Sequence, residues 1–280
     1  MTFEEAYRSG VEKLKDSGIQ DSDIDARLLL EFVSGKDRTF ILVHGSDEIE
    51  EKVYNDYKEV LEQRASHIPL QHITHTADFM GLEFEARPNV LIPRFDTEFL
   101  VEEAMRYVED GSKVLDMCTG SGCILLSLMK YKNDIKGTAV DLSDDALALT
   151  RYNAEKLGVS PEIIKSSMFE NVEGEFDYIV SNPPYIPSNV IEGLASEVKD
   201  HDPRMALDGG DDGLEFYRII ANEAGKYLVP EGRIFVEIGY DQGDAVKALF
   251  EAAGFIEVEV LKDYAGNERV VKCLKNWKIR

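Results

Sequence analysis

Apolar residues recur every three or four positions through the first quarter of the chain. Phe3, Ala6, Tyr7, Val11 and Leu14 form one such run, and Ile24, Leu28, Leu29, Phe32 and Val33 the next. That is the repeat of a helix with one face buried, and it predicts a small all-α domain over residues 1–68. Asp21 or Ser22 can cap the second helix, Gly35 can end it, and Asp47 can open a third, charged helix through Tyr54, Tyr57 and Leu61. After Pro69 the texture changes. Phe79 to Glu85 alternate around Gly81 as a short hairpin would, so residues 69–95 read as a hairpin linker. Over residues 96–280, beginning with a helix at 97–108, strand patterns at 113–116, 138–141, 163–165, 178–181 and 233–238 alternate with helical ones. Such alternation predicts βαβ units, and so an α/β domain with a mainly parallel sheet covered by helices on both faces. Segments 256–261 and 268–274, around the turn Ala265-Gly266-Asn267, predict a hairpin at one sheet edge.

Composition narrows the functions this frame can serve. With 280 residues, 44% of them apolar, the chain can fill two cores. Its 31 lysines and arginines face 54 aspartates and glutamates, a formal charge of -23, which opposes non-specific attachment to nucleic acid or anionic lipid. Cys118, Cys123 and Cys273 show no metal-ligand spacing, and His44, His67, His72, His75 and His201 are scattered, so no metal is expected. Residues 1–10 lack the apolar run of a signal peptide and no stretch reaches the length of a membrane span, which predicts a cytoplasmic protein without membrane partners.

Two segments carry candidate chemistry. In the first, a buried strand ending Val114-Leu115-Asp116 runs into Met117-Cys118-Thr119-Gly120-Ser121-Gly122 and then an apolar helix. Glycines let a backbone approach a ligand closely, and the helix N-terminus behind them presents unpaired N–H groups. The loop has neither the third glycine of a dinucleotide fingerprint nor the Lys-Ser/Thr pair of a phosphate loop, so an adenosine ligand without phosphates fits it best. Asp141 follows Gly122 by nineteen residues, close to the spacing at which an acid grips ribose hydroxyls. The plainer alternative is a tight turn at the glycines, with Asp141 capping a helix that begins near Ser143.

In the second segment, the strand at 176–181 runs straight into Asn182-Pro183-Pro184-Tyr185-Ile186-Pro187. Three prolines in five residues forbid regular structure and hold the chain extended at the carboxyl edge of the sheet, where ligands of open α/β sheets bind. The Asn182 carbonyl can accept one hydrogen of an NH2 group, a main-chain carbonyl the other, and the Tyr185 ring can stack on a flat amide or base. An amide nitrogen is a poor nucleophile because its lone pair is delocalised. Two acceptors on its hydrogens favour the positive charge that develops as it attacks a methyl group. Without this context, the segment would be a proline-rich turn with a packing aromatic.

With these features the sequence resembles the class I, S-adenosylmethionine-dependent methyltransferases over nearly its whole length, most closely the peptide chain release factor glutamine methyltransferases. The likeness is carried by Pro69-Leu70-Gln71-His72-Ile73, Phe79-Met80-Gly81-Leu82, Val90-Leu91-Ile92-Pro93-Arg94 with Asp96-Thr97-Glu98, the glycine loop, Asn182 to Tyr185, residues 203–214, and Glu237-Ile238-Gly239-Tyr240. The resemblance implies a Rossmann-like, seven-stranded methyltransferase domain and an N-terminal helical domain that docks the substrate. It implies transfer from S-adenosyl-L-methionine, with S-adenosyl-L-homocysteine as product, to the glutamine of a release factor's Gly-Gly-Gln loop. By the same resemblance Cys118, Thr119, Gly120, Ser121, Gly122 and Asn182 line the cofactor, Asp141 binds its ribose, and Met168 and Phe169 flank its adenine. Asn182, Pro183, Pro184 and Tyr185 grip the glutamine amide, Asn182, Pro183 and Tyr185 in the catalytic role, and Arg94 lies near the pocket. Ser167 stands where the family commonly has an acid, and Phe95 where it often has a proline. A monomer without direct nucleic-acid contact is expected. The rival readings are methylation of a ribosomal-protein glutamine, adenine-N6 methylation of nucleic acid, which shares the Asn-Pro-Pro-Tyr motif, and a binding module without turnover.

Overall fold

The structure is a computed structural model that describes residues 1–276; residues 277–280, which the sequence reading includes in the second domain, lie outside the described residues. The chain divides into two compact units, Met1–Thr76 with Ala195–His201, and Ala77–Leu194 with Asp202–Arg280.

The first unit is helical: α1 (Phe3–Asp16), α2 (Ser22–Ser34), α3 (Arg38–Val43), α4 (Glu51–Ala65) and α5 (Leu70–Thr74). Thr2 opens α1 with a capping box, accepting from the Glu5 N–H while its own N–H donates to the Glu5 carboxylate. Phe3, Ala6, Gly10 and Leu14 are the buried face, and Leu29, Leu30, Tyr57 and Leu61 meet them from α2 and α4. Gly10 is required there. A Cβ on it would lie 2.1 Å from the hydroxyl oxygen of Tyr57, which donates to the Ala26 carbonyl at 2.9 Å. The third long helix starts at Glu51 rather than Asp47, because residues 45–49 are tied to the start of the chain. Glu4 N–H donates to the Gly45 carbonyl and Ile49 N–H to that of Met1. The six-residue α3 is too short for a period to reveal it. Arg64 is buried on α4, donating to Asp25 of α2 at 2.7 Å, to the Ile68 carbonyl, and to Glu197 at 2.6 Å. Glu197 lies on α9 (Ser196–Lys199), in the excursion that belongs to this unit.

The second unit holds the hairpin β1 (Thr76–Phe79) and β2 (Leu82–Glu85), and the strands β3 (Lys113–Met117), β4 (Lys136–Asp141), β5 (Glu162–Lys165), β6 (Phe176–Ser181), β7 (Leu228–Glu237), β8 (Ile256–Lys262) and β9 (Glu268–Leu274). Its helices are α6 (Phe95–Met105), α7 (Cys123–Tyr131), α8 (Asp144–Leu157), α10 (Arg204–Leu207), α11 (Glu215–Glu223) and α12 (Gly243–Ala252). The seven-stranded sheet has the order β5-β4-β3-β6-β7-β9-β8, parallel except for β9, which is antiparallel to both its neighbours. Both faces are covered, so the strands are apolar on alternate positions in both directions. Val114, Ala139, Val180, Phe235 and Val270 face one core with α6 and α7, while Leu115, Val140, Ile179, Ile234 and Val271 face the other with α11 and α12. Strand β7 begins at Leu228, ahead of the strand pattern at 233–238. Between its pairs Phe176↔Leu228 and Tyr178↔Arg233 the register shifts, and Glu231 takes a left-handed φ of 64°, which hides the strand's start from any alternation.

Candidate active site

From β3 the chain steps to β4 and β5 on one side, whereas β6 and β7 extend the sheet on the other. The carboxyl ends of β3 and β6 therefore flank the point where the order reverses, where open α/β sheets form a crevice. The glycine loop leaves β3 and the Asn182 loop leaves β6, side by side. Met117 pairs with Ser181, whose hydroxyl donates to the Met117 carbonyl at 2.7 Å.

Short bonds brace the glycine loop. The Thr119 hydroxyl donates to Asp116 at 2.6 Å, the Thr150 hydroxyl to the Gly120 carbonyl at 3.0 Å, and the Asn153 amide to the Ser121 carbonyl at 3.0 Å. Gly122 ends the loop as the N-cap of α7 with φ 82°, where a Cβ would come within 2.9 Å of Leu126. Asp141 accepts from the Gly120 N–H and the Ser143 N–H, each at 2.9 Å. Asp141 therefore does not cap α8, since the Ser143 side chain does so; it braces the turn ahead of that helix and lines the cavity. Burial raises its pKa against the pull of those backbone donors. Asp116 is wholly buried behind the loop, and desolvation pushes it to about 7.

Beyond β6, the loop is clamped from outside. Ile186 N–H donates to the Leu207 carbonyl, Gly209 N–H to that of Ile186, and the Gln242 side chain to that of Tyr185. Gly209 is pressed against this segment so closely that a Cβ would lie 2.7 Å from Tyr185 Cα. Asn182 donates through Nδ2 to the Thr97 hydroxyl at 3.2 Å. The Tyr185 hydroxyl points to Glu237 at 3.5 Å, and that of Tyr217 donates to the Glu237 carbonyl at 2.8 Å. Glu237 itself is 1% exposed at the end of β7, and burial lifts its pKa to about 7.

A cavity of about 1030 Å³, counted out to open solvent, collects most of the residues singled out in the sequence. Cys118, Thr119, Gly120, Ser121, Asp141, Met168, Asn182, Pro184 and Arg94 line it. Gly122, Phe169, Pro183 and Tyr185 do not. Phe169 is buried and stacks on Tyr227, centroids 4.8 Å apart, and the Tyr185 ring packs against the sheet core instead of standing free to stack on a ligand. The Arg94 guanidinium is held by Asp202, whose side chain is fully buried. Thr97, Ile92, Ser166 and Phe216, to which the sequence assigned no role in the site, also line the cavity. The Asp96-Thr97-Glu98 block signalled Thr97, but nothing local says that it meets Asn182, 85 residues away. A wall of backbone amides and one carboxylate on one side, and Asn182 with a rigid proline loop on the other, suits a nucleoside-like ligand set against a planar amide. Among the described residues no cluster of three or more His, Cys, Asp or Glu could hold a metal ion, and no helix is long and apolar enough to cross a membrane.

Residues 5–74 match the model of the PrmC N-terminal domain and residues 93–198 that of the methyltransferase small domain. The release factor glutamine methyltransferase of Caulobacter vibrioides is 40% identical over 99% of this chain and 97% of its own length. That of Clostridium acetobutylicum is 39% identical over 98% and 99%. Among solved structures, a methyltransferase from Pyrococcus furiosus superposes with a TM-score of 0.55 at 19% identity, over 79% of this chain and 98% of its own, which shows the fold. By its similarity to such relatives over nearly the full length of both chains, the chain belongs to the release factor glutamine methyltransferase family.

Proposed function

We propose that this protein methylates the side-chain amide nitrogen of the glutamine in the Gly-Gly-Gln loop of peptide chain release factors, giving N5-methylglutamine. When bound, S-adenosyl-L-methionine supplies the methyl group from its sulfonium and leaves as S-adenosyl-L-homocysteine. What supports this reading is that Asn182 and Pro184 line the same cavity as Gly120, Ser121 and Asp141, so one crevice can hold donor and acceptor together. Asp141 and the backbone of residues 118–121 hold the nucleoside, with Met168 beside its base. The Asn182 carbonyl and a main-chain carbonyl of the proline loop accept the two amide hydrogens. Held by these two acceptors, the amide nitrogen would have its growing positive charge met by fixed dipoles. Methyl transfer to an amide held in this way would release one proton to solvent and would require no nucleophile from the protein. The helical unit serves as the docking domain for the factor, and the enzyme works as a cytoplasmic monomer.

Incubation of an intact release factor with the enzyme and S-adenosyl-L-methionine should add the mass of one methyl group to its Gly-Gly-Gln peptide. No added mass on any release factor would overturn the proposal. Asn182→Ala should lower kcat by about 100-fold or more, with cofactor affinity by calorimetry little changed.

A further inference from the structure

Pro183, Pro184 and Pro187 carry no N–H, so the loop after β6 must be fastened through the residues between and beyond them. Ile186 N–H donates to the Leu207 carbonyl, Ser188 N–H to that of Gly210, and Gly209 N–H to that of Ile186, each at 2.9 Å. Closer to Asn182 than these is the Tyr185 carbonyl, which is met by a side chain. Gln242 Nε2 donates to it at 2.9 Å and to the Gly213 carbonyl at 3.3 Å, while Gln242 Oε1 accepts from the Gly239 N–H at 2.9 Å. With two carbonyls at one end and an N–H at the other, this amide has a single satisfied orientation. Gln242 is buried, and the backbone closes tightly around it: a Cβ on Gly213 would lie 2.7 Å from Nε2 and 2.4 Å from the Tyr185 carbonyl oxygen.

Between Ser181 and Tyr185 few torsions are free. The rings of Pro183 and Pro184 fix φ, and Asn182 and Pro183, each preceding a proline, are held to extended backbone. The segment is a stiff rod. One end is anchored where Ser181 pairs with Val236 and donates its hydroxyl to the Met117 carbonyl, and the other by Gln242. A rod released at one end swings as a whole, and a misplacement of about 1 Å between reacting groups can cost about 100-fold in rate. We propose that Gln242 is a positioning residue of the transfer step: it fixes the far end of the Asn182–Tyr185 segment, and with it the place at which the Asn182 and proline-loop carbonyls hold the substrate amide. The proposal rests on the role given to those carbonyls above. It assigns to the reaction a side chain on the turn between β7 and α12 that does not itself line the cavity.

Gln242→Met keeps the length of the side chain and removes its hydrogen bonds, and Gln242→Leu does so with a shorter, branched chain. With an intact release factor as substrate, both variants should lower kcat about 10-fold or more, with KM for the factor within about threefold of wild type. Affinity for S-adenosyl-L-homocysteine, by calorimetry, should stay within about twofold, because the glycine loop has braces of its own from Thr119, Thr150 and Asn153. Added to Asn182→Ala, either variant should cost less than about threefold further, since the group it places is already gone. Wild-type kcat in a folded variant, a loss of cofactor affinity as large as the loss in kcat, or losses that multiply in the double variant would overturn the proposal. Failure of both variants to fold would overturn it too, since Gln242 would then support the fold and not the step. If only one of them folds, it decides by the same measures. Absence of methylation by the wild-type enzyme would instead sink the assigned reaction, which separates the two failures.

Discussion

The buried carboxylates of this protein are met in two ways, by guanidinium groups in both units, as Asp25 by Arg64 and Asp202 by Arg94, and by hydroxyl groups behind the cavity. In the helical unit Asp25 meets a guanidinium: Arg64 donates to it at 2.7 Å and spends its remaining donors on Glu197 and the Ile68 carbonyl. In the α/β unit, Asp116 meets a threonine hydroxyl at 2.6 Å, and Glu237 meets the Tyr185 hydroxyl at 3.5 Å while Arg269 is bound to Asp96 and Asp263. Burial raises the pKa of Asp25 too, but Arg64 pulls against it, whereas Asp116 and Glu237, met by hydroxyls, are pushed to about 7. The first arrangement is architecture. The second lies directly behind the two loops that line the cavity.

The largest effect should come from breaking the first arrangement. Arg64→Met leaves Asp25 buried without its cation, and removal of one partner of a buried pair costs about 3–5 kcal/mol. Urea denaturation should show that loss. Adding Asp25→Leu removes the orphaned charge and should recover most of it, since Glu197 is exposed enough to be hydrated on its own. A single variant with wild-type stability would mean that the pair is not the clamp the comparison makes it.

A smaller effect tests the other side. Burial raises Asp116 and Glu237 from ordinary values of 3.8 and 4.5 to about 7 in the folded state. Between those values the native state holds protons that the unfolded chain has released, so stability must fall as pH rises. The stabilisation is complete below about pH 4 and is lost as pH rises through about 7, on the order of 3–4 kcal/mol for each group. Calorimetric midpoints should decline from pH 5 to 8, and Glu237→Gln should flatten that decline. The overall negative charge also weakens the fold as pH rises, but it is almost the same in both proteins and cancels in their difference. An identical slope in the variant would show that Glu237 titrates as an ordinary carboxylate.

How much of this could be read along the chain depended on the range of each interaction. Local repeats exposed the helices at 3–16 and 22–34, the alternating strands and the β8–β9 hairpin, because a period of 3.6 or 2 needs only neighbours in sequence. The glycine loop, Asp141 and the proline loop were legible for a similar reason: tight turns and fixed φ values are properties of the residues themselves. The partners of these motifs were not. Thr97 and Asn182 are 85 residues apart, Tyr185 and Glu237 are 52 apart, and Arg64 meets Glu197 across 133. No composition or period announces such pairs. The excursion of Ala195–His201 into the helical unit escaped notice likewise, since residues 96–280 read as one domain. Tyr185 shows a further limit: its type suited stacking on a ligand, but whether the ring faces the cavity or the core was settled by packing.

The smallest effect concerns that tyrosine and tests how closely hydroxyls hold the second arrangement together. Its oxygen lies 3.5 Å from Glu237, at the long end of hydrogen-bond geometry, whereas Tyr217 donates to the main chain of the same residue at 2.8 Å. A bond so stretched contributes little, and the ring, already packed on the sheet core, stays in Tyr185→Phe. Thermal unfolding of Tyr185→Phe should therefore show a change under about 1 kcal/mol, against about 1–2 kcal/mol for Tyr217→Phe, which strips a buried carbonyl of its donor. Equal losses would mean that the Tyr185 hydroxyl closes on Glu237 in solution, and that the carboxylate behind the site is held more tightly than its distances imply.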